Sequence, residues 1–484
     1  MTESLAVAWG PLVADGAPFA AASTPATLTV QPARLDDPIW WLNRLFAALA
    51  KKQRALQIFE DYYCGDHPLP WLPAQARSEF RRILKMTRTN YMGLVIDSMV
   101  ERMNVEGFRV GADADKKLWQ IWQYNNLDSS SDQAFLEAGK SGSAYAMVGP
   151  NPDRPEMPII SIEHPSQAIV EHVPGNRRKR AAGMKVWVDE WTGRIEAELQ
   201  VPKFVVRAWA KAPTGGLPRW TITGIEPNPA EEVTIVELPN NPRLMLGGVS
   251  ELADLLDPQD RINKTVADRL ITQDFGAFPQ KWASGYPEED DQGNPTPGID
   301  IGRNRLVTTD VVEAKFGQWD AAPLDPYSMA KREDVKDIAS RSRTPAQYLL
   351  GEMSNVNGET LKASESGLIS KVRQRMRGHD GPLEDVMNIA ARLGGLTSES
   401  YIAMETIWRS PEYRTEGEVT DAAIKRLNSG IASLRQSRED VGYTQTQIER
   451  MEDEDAERDA AVFERISRPV VTPAPTDGAP ADEL

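Results

Sequence analysis

The chain has 484 residues, of which 40% are hydrophobic and 26% are charged, a composition that is ordinary for a globular protein of two to four structural units. Its formal net charge of −16 argues against a general nucleic-acid coat that binds through a basic surface. The single cysteine, Cys64, excludes an intrachain disulfide framework, and no stretch approaches the roughly 20 apolar residues that would cross a bilayer.

The first half of the chain predicts helices followed by strands. Residues 1–35 are rich in Ala, Pro and Thr without periodicity, which predicts a disordered arm. Apolar residues recur at helical spacing from Asp37 to Gly65, and further helices are predicted at residues 80–84, 91–103, 118–122 and 131–139, with an extended segment at 105–110. Between residues 143 and 238 the period changes to two, which predicts strands at 158–163, 184–191, 195–201, 203–209 and 233–238. Helices that precede a sheet favour an α+β fold.

The stretch 250–395 predicts two helices that bracket a compact insert. The first helix covers residues 250–275, and the insert, 276–324, carries an acidic loop tip formed by Glu288, Glu289, Asp290 and Asp291. The second helix, 325–343, is expected to be capped by Asp325 and to end before Thr344–Pro345. A loop over 344–358 and a long helix over 359–395 follow. The second helix has too few apolar positions to form its own core, so this stretch needs partners to pack against.

The C-terminal part predicts a connection at residues 396–415 and two helical pieces at 416–428 and 438–451, the second broken by Gly442. Residues 467–484 contain acids and prolines without periodicity, so we predict a disordered acidic tail.

Two short motifs indicate chemistry only weakly. Gly139–Lys140–Ser141 resembles the end of a phosphate-binding loop, but position 134 is Ala and a helix precedes a strand here, so we predict a helix end. Cys64 and His67 have the spacing of half a zinc site. A Cys–His nucleophilic pair stays open on spacing alone, although a cysteine in this context is more typical of a small buried packing residue. We therefore predict no enzyme activity, no cofactor and no metal.

Two basic runs remain. The run from Arg177 to Arg180 follows a predicted hairpin tip and is interpreted as a solvated turn. A second set lies at steps of two on the long helix, so that successive members point about 200° apart. We expect part of this set to face a partner or a neighbouring subunit, and a phosphate contact for one or two members stays open. Its members are Lys371, Arg373, Arg375 and Arg377.

The segment from Tyr62 to Leu69 reads YYCGDHPL and resembles the YYxGxHPL segment near the start of tailed-bacteriophage portal proteins. Four later stretches agree with this resemblance in order and spacing: 90–102 (NYMGLVIDSMVER), 250–281, 344–366 and 421–450. The resemblance as a whole extends over about residues 36–465.

The resemblance implies the portal fold, assembled as a ring that normally has twelve subunits at one vertex of the capsid. Its parts would be an α/β wing at 36–249 with 396–415 returning to it, stem helices at 250–275 and 325–343, a small β-rich clip at 276–324, a tunnel loop at 344–358, a long kinked helix at 359–395 and an α-helical crown at 416–466. Double-stranded DNA would pass through the channel during packaging and ejection.

The resemblance also implies partners and site residues. The clip acids would dock the large terminase subunit and later the head–tail adaptor, and the ring would contact the major capsid and scaffolding proteins, with assembly in the host cytoplasm and no membrane contact. Neutral tunnel-loop side chains would meet DNA weakly, namely Gln347, Ser354, Asn355 and Asn357. The second stem helix could add cationic contacts from Lys331, Lys336, Arg341 and Arg343, or use these residues for ion pairs between subunits with Glu333, Asp334 or Asp337.

The charge agrees with a conduit, because twelve copies would carry a formal charge of about −192 and repel DNA rather than bind it tightly. Two other functions stay open: a capsid-associated structural or adaptor protein that never contacts DNA, and a hydrolase with its active site at 143–238.

Overall fold

A computed structural model describes residues 36–73, 80–111, 113–213, 216–244, 247–277, 281–285, 315–320, 322–351, 358–396, 401, 403–412 and 416–467. The predicted arm at 1–35, the tail beyond 467 and the residues Glu288, Glu289, Asp290, Asp291, Ser354, Asn355 and Asn357 lie outside this part. The described chain forms two compact units. The first contains residues up to 103 and those from 125 to 396, and the second contains 104–124 and those from 401 onward.

Helices and strands alternate irregularly along the chain, and we number them in chain order. Up to residue 149 they are α1 (Pro38–Cys64), α2 (Arg81–Leu84), α3 (Met92–Val100), β1 (Val105–Val110), β2 (Asp113–Ala114), α4 (Lys116–Tyr124), α5 (Leu127–Ser141) and β3 (Ser143–Gly149). Up to residue 239 they are β4 (Ile159–Glu163), β5 (Ala168–Val173), β6 (Asn176–Asp189), β7 (Arg194–Gln200), β8 (Phe204–Lys211), β9 (Thr221–Pro227) and β10 (Ile235–Pro239). The rest are α6 (Leu256–Ala277), β11 (Lys281–Ser284), β12 (Lys315–Gln318), α7 (Asp325–Ser342), α8 (Ala346–Leu350), α9 (Gly358–Leu393), β13 (Met404–Trp408), α10 (Glu416–Asn428), α11 (Leu434–Val441) and α12 (Gln445–Ser467).

Helix α1 follows from its local sequence. The Asp37 side chain accepts a hydrogen bond from the backbone N–H of Ile39 at 2.9 Å, and Pro38 occupies the first turn, where no N–H partner is needed. Gly65 ends the helix at a φ of +80°, a conformation that glycine adopts without steric cost. The predicted helix from Asp37 to Gly65 is thereby confirmed.

The main core of the first unit lies between α1 and a five-stranded antiparallel sheet with the order β5-β6-β7-β8-β9. Apolar residues of α1 recur every three or four positions and pack against alternate residues of the sheet, as the two periodicities require. The helix contributes Trp41, Leu42, Leu45, Phe46 and Leu49, and the sheet contributes Met184, Val186, Ile195, Ala197, Leu199 and Val206. A second sheet has the order β10-β3-β4, with antiparallel pairing throughout.

The strands predicted between residues 143 and 238 are confirmed, whereas β3, β5 and β9 were not predicted as separate strands. The predicted hairpin tip before the Arg177–Arg180 run is confirmed, and Arg177, Arg178 and Lys179 are exposed, but the run itself is a strand rather than a turn and Arg180 is not solvated. The turn lies at Gly175, whose φ is +78°, and the run belongs to β6. The side chain of Arg180 is only 10% exposed because it pairs with Glu232 and Asp385 at 3.2 Å each.

Between residues 250 and 395 the predicted order of elements is confirmed, with local differences. The first helix begins at Leu256 because residues 251–255 form turns, and the Ser250 hydroxyl donates to the Lys140 carbonyl at 2.5 Å. Leu324 rather than Asp325 occupies the cap position of α7. Strands β11 and β12 of the insert pair antiparallel. Helix α9 has 36 residues and contains Pro382.

The second unit combines a three-stranded sheet with helices. The strand order is β13-β1-β2, so that the segment after residue 400 pairs with Val105–Val110. Helix α4 packs Trp122 against Phe108, with ring centroids 5.3 Å apart. Across the described residues, no helix combines the length and the apolarity that crossing a membrane would take.

Candidate functional site

Helices α6 and α7 form a pair that depends on ion pairs as much as on apolar contact. The buried residues of α7 are few, namely Val335, Ile338, Ala339 and Ser342. Ion pairs add to this small apolar contact between the two helices. The guanidinium of Arg261 on α6 donates to Asp337 at 2.8 Å and lies 3.2 Å from Asp334. Arg341 donates to the same Asp337 at 3.1 Å, and the hydrogen bonds from both arginines lower the pKa of that carboxyl group.

The structure places the four predicted basic residues in four different environments. The Lys331 ammonium lies 5.9 Å from the centre of the Tyr91 ring, and Lys336 pairs with Glu333 at 2.8 Å. Arg341 pairs with Asp337, as described above. Arg343 is exposed and ends α7 at a φ of +56°. The acids considered as partners between subunits already pair within the chain, Glu333 with Lys336, Asp337 with Arg341, and Asp334 with Arg261.

The beginning of the predicted tunnel loop is ordered. Residues Ala346–Leu350 form α8, so Gln347 is helical rather than in a loop as predicted. Its side-chain amide donates to the Ser364 hydroxyl of α9 at 2.8 Å. Next to it, the Tyr348 hydroxyl donates to Glu365 and accepts from Arg102 at 2.9 Å. This start of the predicted loop is therefore tied to α9 and to the end of α3.

A buried ionic cluster joins α7 and the turns that precede α6 to α9. We call it the Glu251 cluster; it consists of Glu251, Lys371 and Arg375, whose side chains are 9%, 2% and 7% exposed. Glu251 lies 2.6 Å from the Arg375 guanidinium and 3.2 Å from the Lys371 ammonium. The same ammonium donates to the carbonyl of Ser342, the last residue of α7, at 3.0 Å.

The electrostatics of the Glu251 cluster favour the ionised carboxylate. Burial by itself raises the pKa of Glu251, but the charges of Lys371 and Arg375 outweigh it and hold the pKa at about 2. Burial lowers the pKa of Lys371, and Glu251 opposes that shift. Lys371 and Arg375 are therefore buried in their own unit, whereas Arg373 and Arg377 are exposed, so the prediction that part of this set faces a partner can concern only these two. Sequence reasoning missed Glu251, whose only local signal is its position beside apolar residues.

The residues that carried the resemblance meet in a second buried cluster. The Tyr62 hydroxyl contacts both carboxylate oxygens of Asp260 at 2.9 Å. The Asn263 amide donates to His67 Nε2 at 2.5 Å, and its oxygen accepts from the Thr89 N–H at 3.0 Å. Burial lowers the pKa of His67, so the ring stays neutral and can accept this hydrogen bond. The YYCGDHPL segment thus fastens α6 to the end of α1.

Gln259, one turn before Asn263 on α6, also binds the backbone of residues 89–91. Its amide nitrogen donates to the Thr89 carbonyl at 2.5 Å, and its oxygen accepts from the Tyr91 N–H at 3.1 Å. Both Gln259 and Asn263 are almost fully buried. A buried amide on a helix is stable only with such partners.

One group of metal-ligand types occurs in the described residues: Glu60, Glu137 and His164, whose ligand atoms lie within 4.8 Å of one another. The Lys140 ammonium already lies between the two carboxylates and donates to both, at 2.7 Å in the case of Glu137. A cation would have to displace this buried ammonium, so the geometry supports an ion-paired junction rather than a metal site.

The other weak motifs are also placed by the structure. Lys140 belongs to the last turn of α5, which ends at Gly142 before β3, and the predicted helix end is confirmed. Cys64 is exposed and its thiol donates to Glu60 at 3.3 Å, so the expectation of a buried packing residue is wrong. His67 stacks on Tyr62 with ring centroids 5.2 Å apart.

Comparison with known proteins decides the family. A family model described as "Phage portal protein, SPP1 Gp6-like" matches residues 43–461. The chain belongs to this family of phage portal proteins. The resemblance predicted from the sequence is confirmed, and it identifies a phage head–tail connector. Portal proteins are part of the phage particle at the capsid, and by its name the family is structural.

Portal proteins of two mycobacteriophages are similar to this chain. The one from Mycobacterium phage D29 is 30% identical over 448 residues, which cover 88% of this chain and 90% of the relative. The one from Mycobacterium phage L5 is 28% identical with the same coverage. A solved structure titled "Neck of native GTA particle computed with C12 symmetry" is 12% identical with a TM-score of 0.42, covering 78% of this chain and 95% of that one.

Proposed function

We propose that this portal protein forms a ring of twelve subunits at one capsid vertex and that double-stranded DNA passes through its central channel during packaging and ejection. The observation that carries the proposal is helix α7, which has a narrow apolar side and a broad charged side. Its apolar side is used against α6, and its exposed side includes Lys336, Ser340 and Arg343 at helical spacing. A helix of this kind fits a channel wall that faces water and DNA.

The charges of α7 suit a wall past which DNA moves without binding. Residues 325–343 contain five basic and four acidic residues, although the whole chain has a net charge of −16. Glu333 and Asp337 pair with basic residues inside the chain. Since each neutralised phosphate adds to binding, a nearly neutral wall keeps DNA contacts few and weak. Under this proposal Lys336, Arg343 and the α8 residue Gln347 contact DNA, and Lys331 and Arg341 lie further from it. The later loop residues proposed to contact DNA are Ser354, Asn355 and Asn357.

The insert between α6 and α7 is proposed as the docking site for the large terminase subunit and the head–tail adaptor. Its described strands β11 and β12 carry Trp282, and Trp319 follows directly; these side chains are 39% and 65% exposed. Exposed tryptophans in a segment whose sequence also contains four consecutive acids suit protein partners, because aromatic residues anchor interfaces. Major capsid and scaffolding proteins are proposed to hold the ring, which assembles in the host cytoplasm.

Microscopy and mass measurement of the purified full-length chain test the assembly. Closed rings with an axial hole are expected, with a mass of about 640 kDa for twelve chains of 53.7 kDa. A preparation that stays monomeric at micromolar concentration would overturn the proposal.

A channel variant tests the DNA contact. Lys336→Gln with Arg343→Asn removes two exposed charges, and asparagine tolerates the left-handed backbone at position 343. Lys51→Gln with Arg54→Gln on α1 removes the same charge from an exposed helix face and is the matched control. Assembled into particles, the channel variant is expected to change the amount of packaged DNA while the control does not. Intact rings and equal packaging in both variants would favour a structural protein without DNA contact.

A further inference from the structure

Strand β9 stands at one edge of the five-stranded sheet. Among the described residues its only strand neighbour is β8, because it comes last in the order β5-β6-β7-β8-β9. An edge strand points alternate backbone N–H and C=O groups away from the sheet, where another segment can pair with them. Five of the seven residues of β9 are exposed. This edge is therefore open to a further strand.

Ile225 of β9 lies on the core side of the sheet but is not covered. It pairs with Val206, which is buried in the core between α1 and the sheet, and directly paired residues share a face. A bulge at Thr223 turns Ile222 to the same face, where it packs against the core. Ile225 is nevertheless 57% exposed. A further strand beside β9 would extend the core by one row of apolar side chains.

The start of the described chain lies near this edge. Asp36 lies 3.5 Å from the Lys203 ammonium, and the Lys203 carbonyl accepts from the backbone N–H of Asn228, the residue after β9. About two helical turns later, Arg44 pairs with Glu171 of β5 at 2.7 Å. Helix α1 therefore crosses the sheet from the β8 side toward the β5 side, and the chain that precedes Asp36 approaches from the β9 side.

The sequence before Asp36 contains one short stretch with the composition of a strand. Residues 26–31 read ATLTVQ, in which Leu28 and Val30 alternate with threonines. Valine and threonine are β-branched and favour strands. Pro25 and Pro32 bracket the stretch, and because proline has no N–H to donate to a ladder it limits a strand at either end.

We propose that residues 26–31 pair with β9 of the same chain and form a sixth strand of the sheet. Leu28 and Val30 then lie on the core side and cover Ile225, while the threonines face water. Residues 32–35 connect this strand to α1. Four residues span up to about 13 Å, which exceeds the distance of about 4.8 Å between neighbouring strands.

The sixth strand is parallel to β9. Because Phe204 pairs with Pro227, β9 ends beside Lys203, and the segment that leads to Asp36 also runs toward Lys203. Mixed sheets of this kind are common. The new edge strand is short and has a proline at each end, which opposes pairing between the edges of two copies. The proposal limits the predicted disorder to residues 1–25, and it does not depend on the proposed ring.

Amide hydrogen exchange of the full-length chain, measured by mass spectrometry, tests the pairing. After correction for intrinsic rates, the amides of residues 27–31 are expected to exchange about tenfold more slowly than those of residues 3–11. Equal corrected rates in the two segments would overturn the proposal.

A proline variant links the exchange to β9. Thr29→Pro removes a backbone N–H from the middle of the proposed strand and is expected to speed exchange in β9 about tenfold. Ala22→Pro, outside the segment, is the matched control and is expected to leave β9 unchanged. Strand β5, at the opposite edge of the sheet, is the internal reference. An unchanged β9 in Thr29→Pro, or an equal change in β5, would contradict the pairing.

Disulfide trapping tests the direction of the strand and the chain that supplies it. In a Cys64→Ser background, Val30→Cys with Ile225→Cys is expected to form an intrachain disulfide with diamide, because both residues lie toward the Lys203 end. Leu28→Cys with Ile225→Cys is the matched control and is expected to react about tenfold more slowly. Faster reaction of the control pair would show an antiparallel strand, and cross-linked dimers would show that another copy supplies the segment. Either result would overturn the proposal.

Discussion

Replacing Glu251 by glutamine tests the buried ionic cluster that joins α7 and the turns before α6 to α9. The substitution keeps the size of the side chain but leaves the ammonium of Lys371 and the guanidinium of Arg375 buried without their carboxylate. Removing one partner of a buried ion pair costs roughly 3–5 kcal/mol, because the desolvation of the other charge is no longer offset. The pKa of Glu251, about 2 against an ordinary 4.5, corresponds independently to about 3 kcal/mol. We therefore expect a loss near 3 kcal/mol.

Thermal unfolding followed by calorimetry measures this loss. With roughly 2 °C per kcal/mol for a unit of this size, the transition of the first unit is expected to fall by about 6 °C. Glu333→Gln is the control, since Glu333 forms an exposed pair with Lys336 and its loss should cost less than about 1 kcal/mol. A Glu251→Gln variant that unfolds within about 2 °C of the control would refute the reasoning.

The pH dependence of the free energy of unfolding tests the same buried cluster. Because the folded pKa of Glu251 lies below its ordinary value, the stabilisation is complete above pH 4.5 and is lost as the pH falls from 4.5 toward 2. The difference in unfolding temperature between the wild type and Glu251→Gln should stay constant between pH 8 and 5 and shrink below pH 4.5. A difference that grows on acidification would contradict the assignment.

Three further predictions concern single sites. Burial and the charge of Arg375 hold the pKa of His379 at about 4 against an ordinary 6.5. The folded state should therefore lose up to about 3 kcal/mol of stability through His379 as the pH falls from 6.5 to 4. In urea titrations His379→Leu should remove this part of the pH dependence of stability, and an unchanged pH dependence would contradict the prediction. Arg343→Gly should raise the unfolding temperature by about 1–3 °C, since glycine adopts a φ of +56° without strain; a decrease would show that the side chain stabilises the fold. Asn263→Ala leaves His67 and the Thr89 N–H without their partner and should cost about 1–3 kcal/mol, and an unfolding temperature within about 1 °C of the wild type would refute this.

Local signals were sufficient for the type and limits of most elements. Asp37 and Pro38 start α1 and Gly65 ends it, because capping and backbone preferences act within a few residues. The alternation of apolar residues revealed most strands of the five-stranded sheet for the same reason. Start positions were less certain: α6 begins at Leu256 because a hydrogen bond from Ser250 to a distant carbonyl holds the preceding residues in turns.

The sequence by itself determined the family and the order of the elements in the stretch 250–395, since both follow from ordered motifs and local periodicity. Tertiary structure alone decided which charges of α9 are buried. A step of two residues places Lys371 and Arg373 on different faces, but only the position of Glu251, 120 residues earlier in the chain, makes the Lys371 side the inner one. Likewise, only the fold turns the YYCGDHPL segment into the anchor of α6, because its partners Asp260 and Asn263 lie almost 200 residues away.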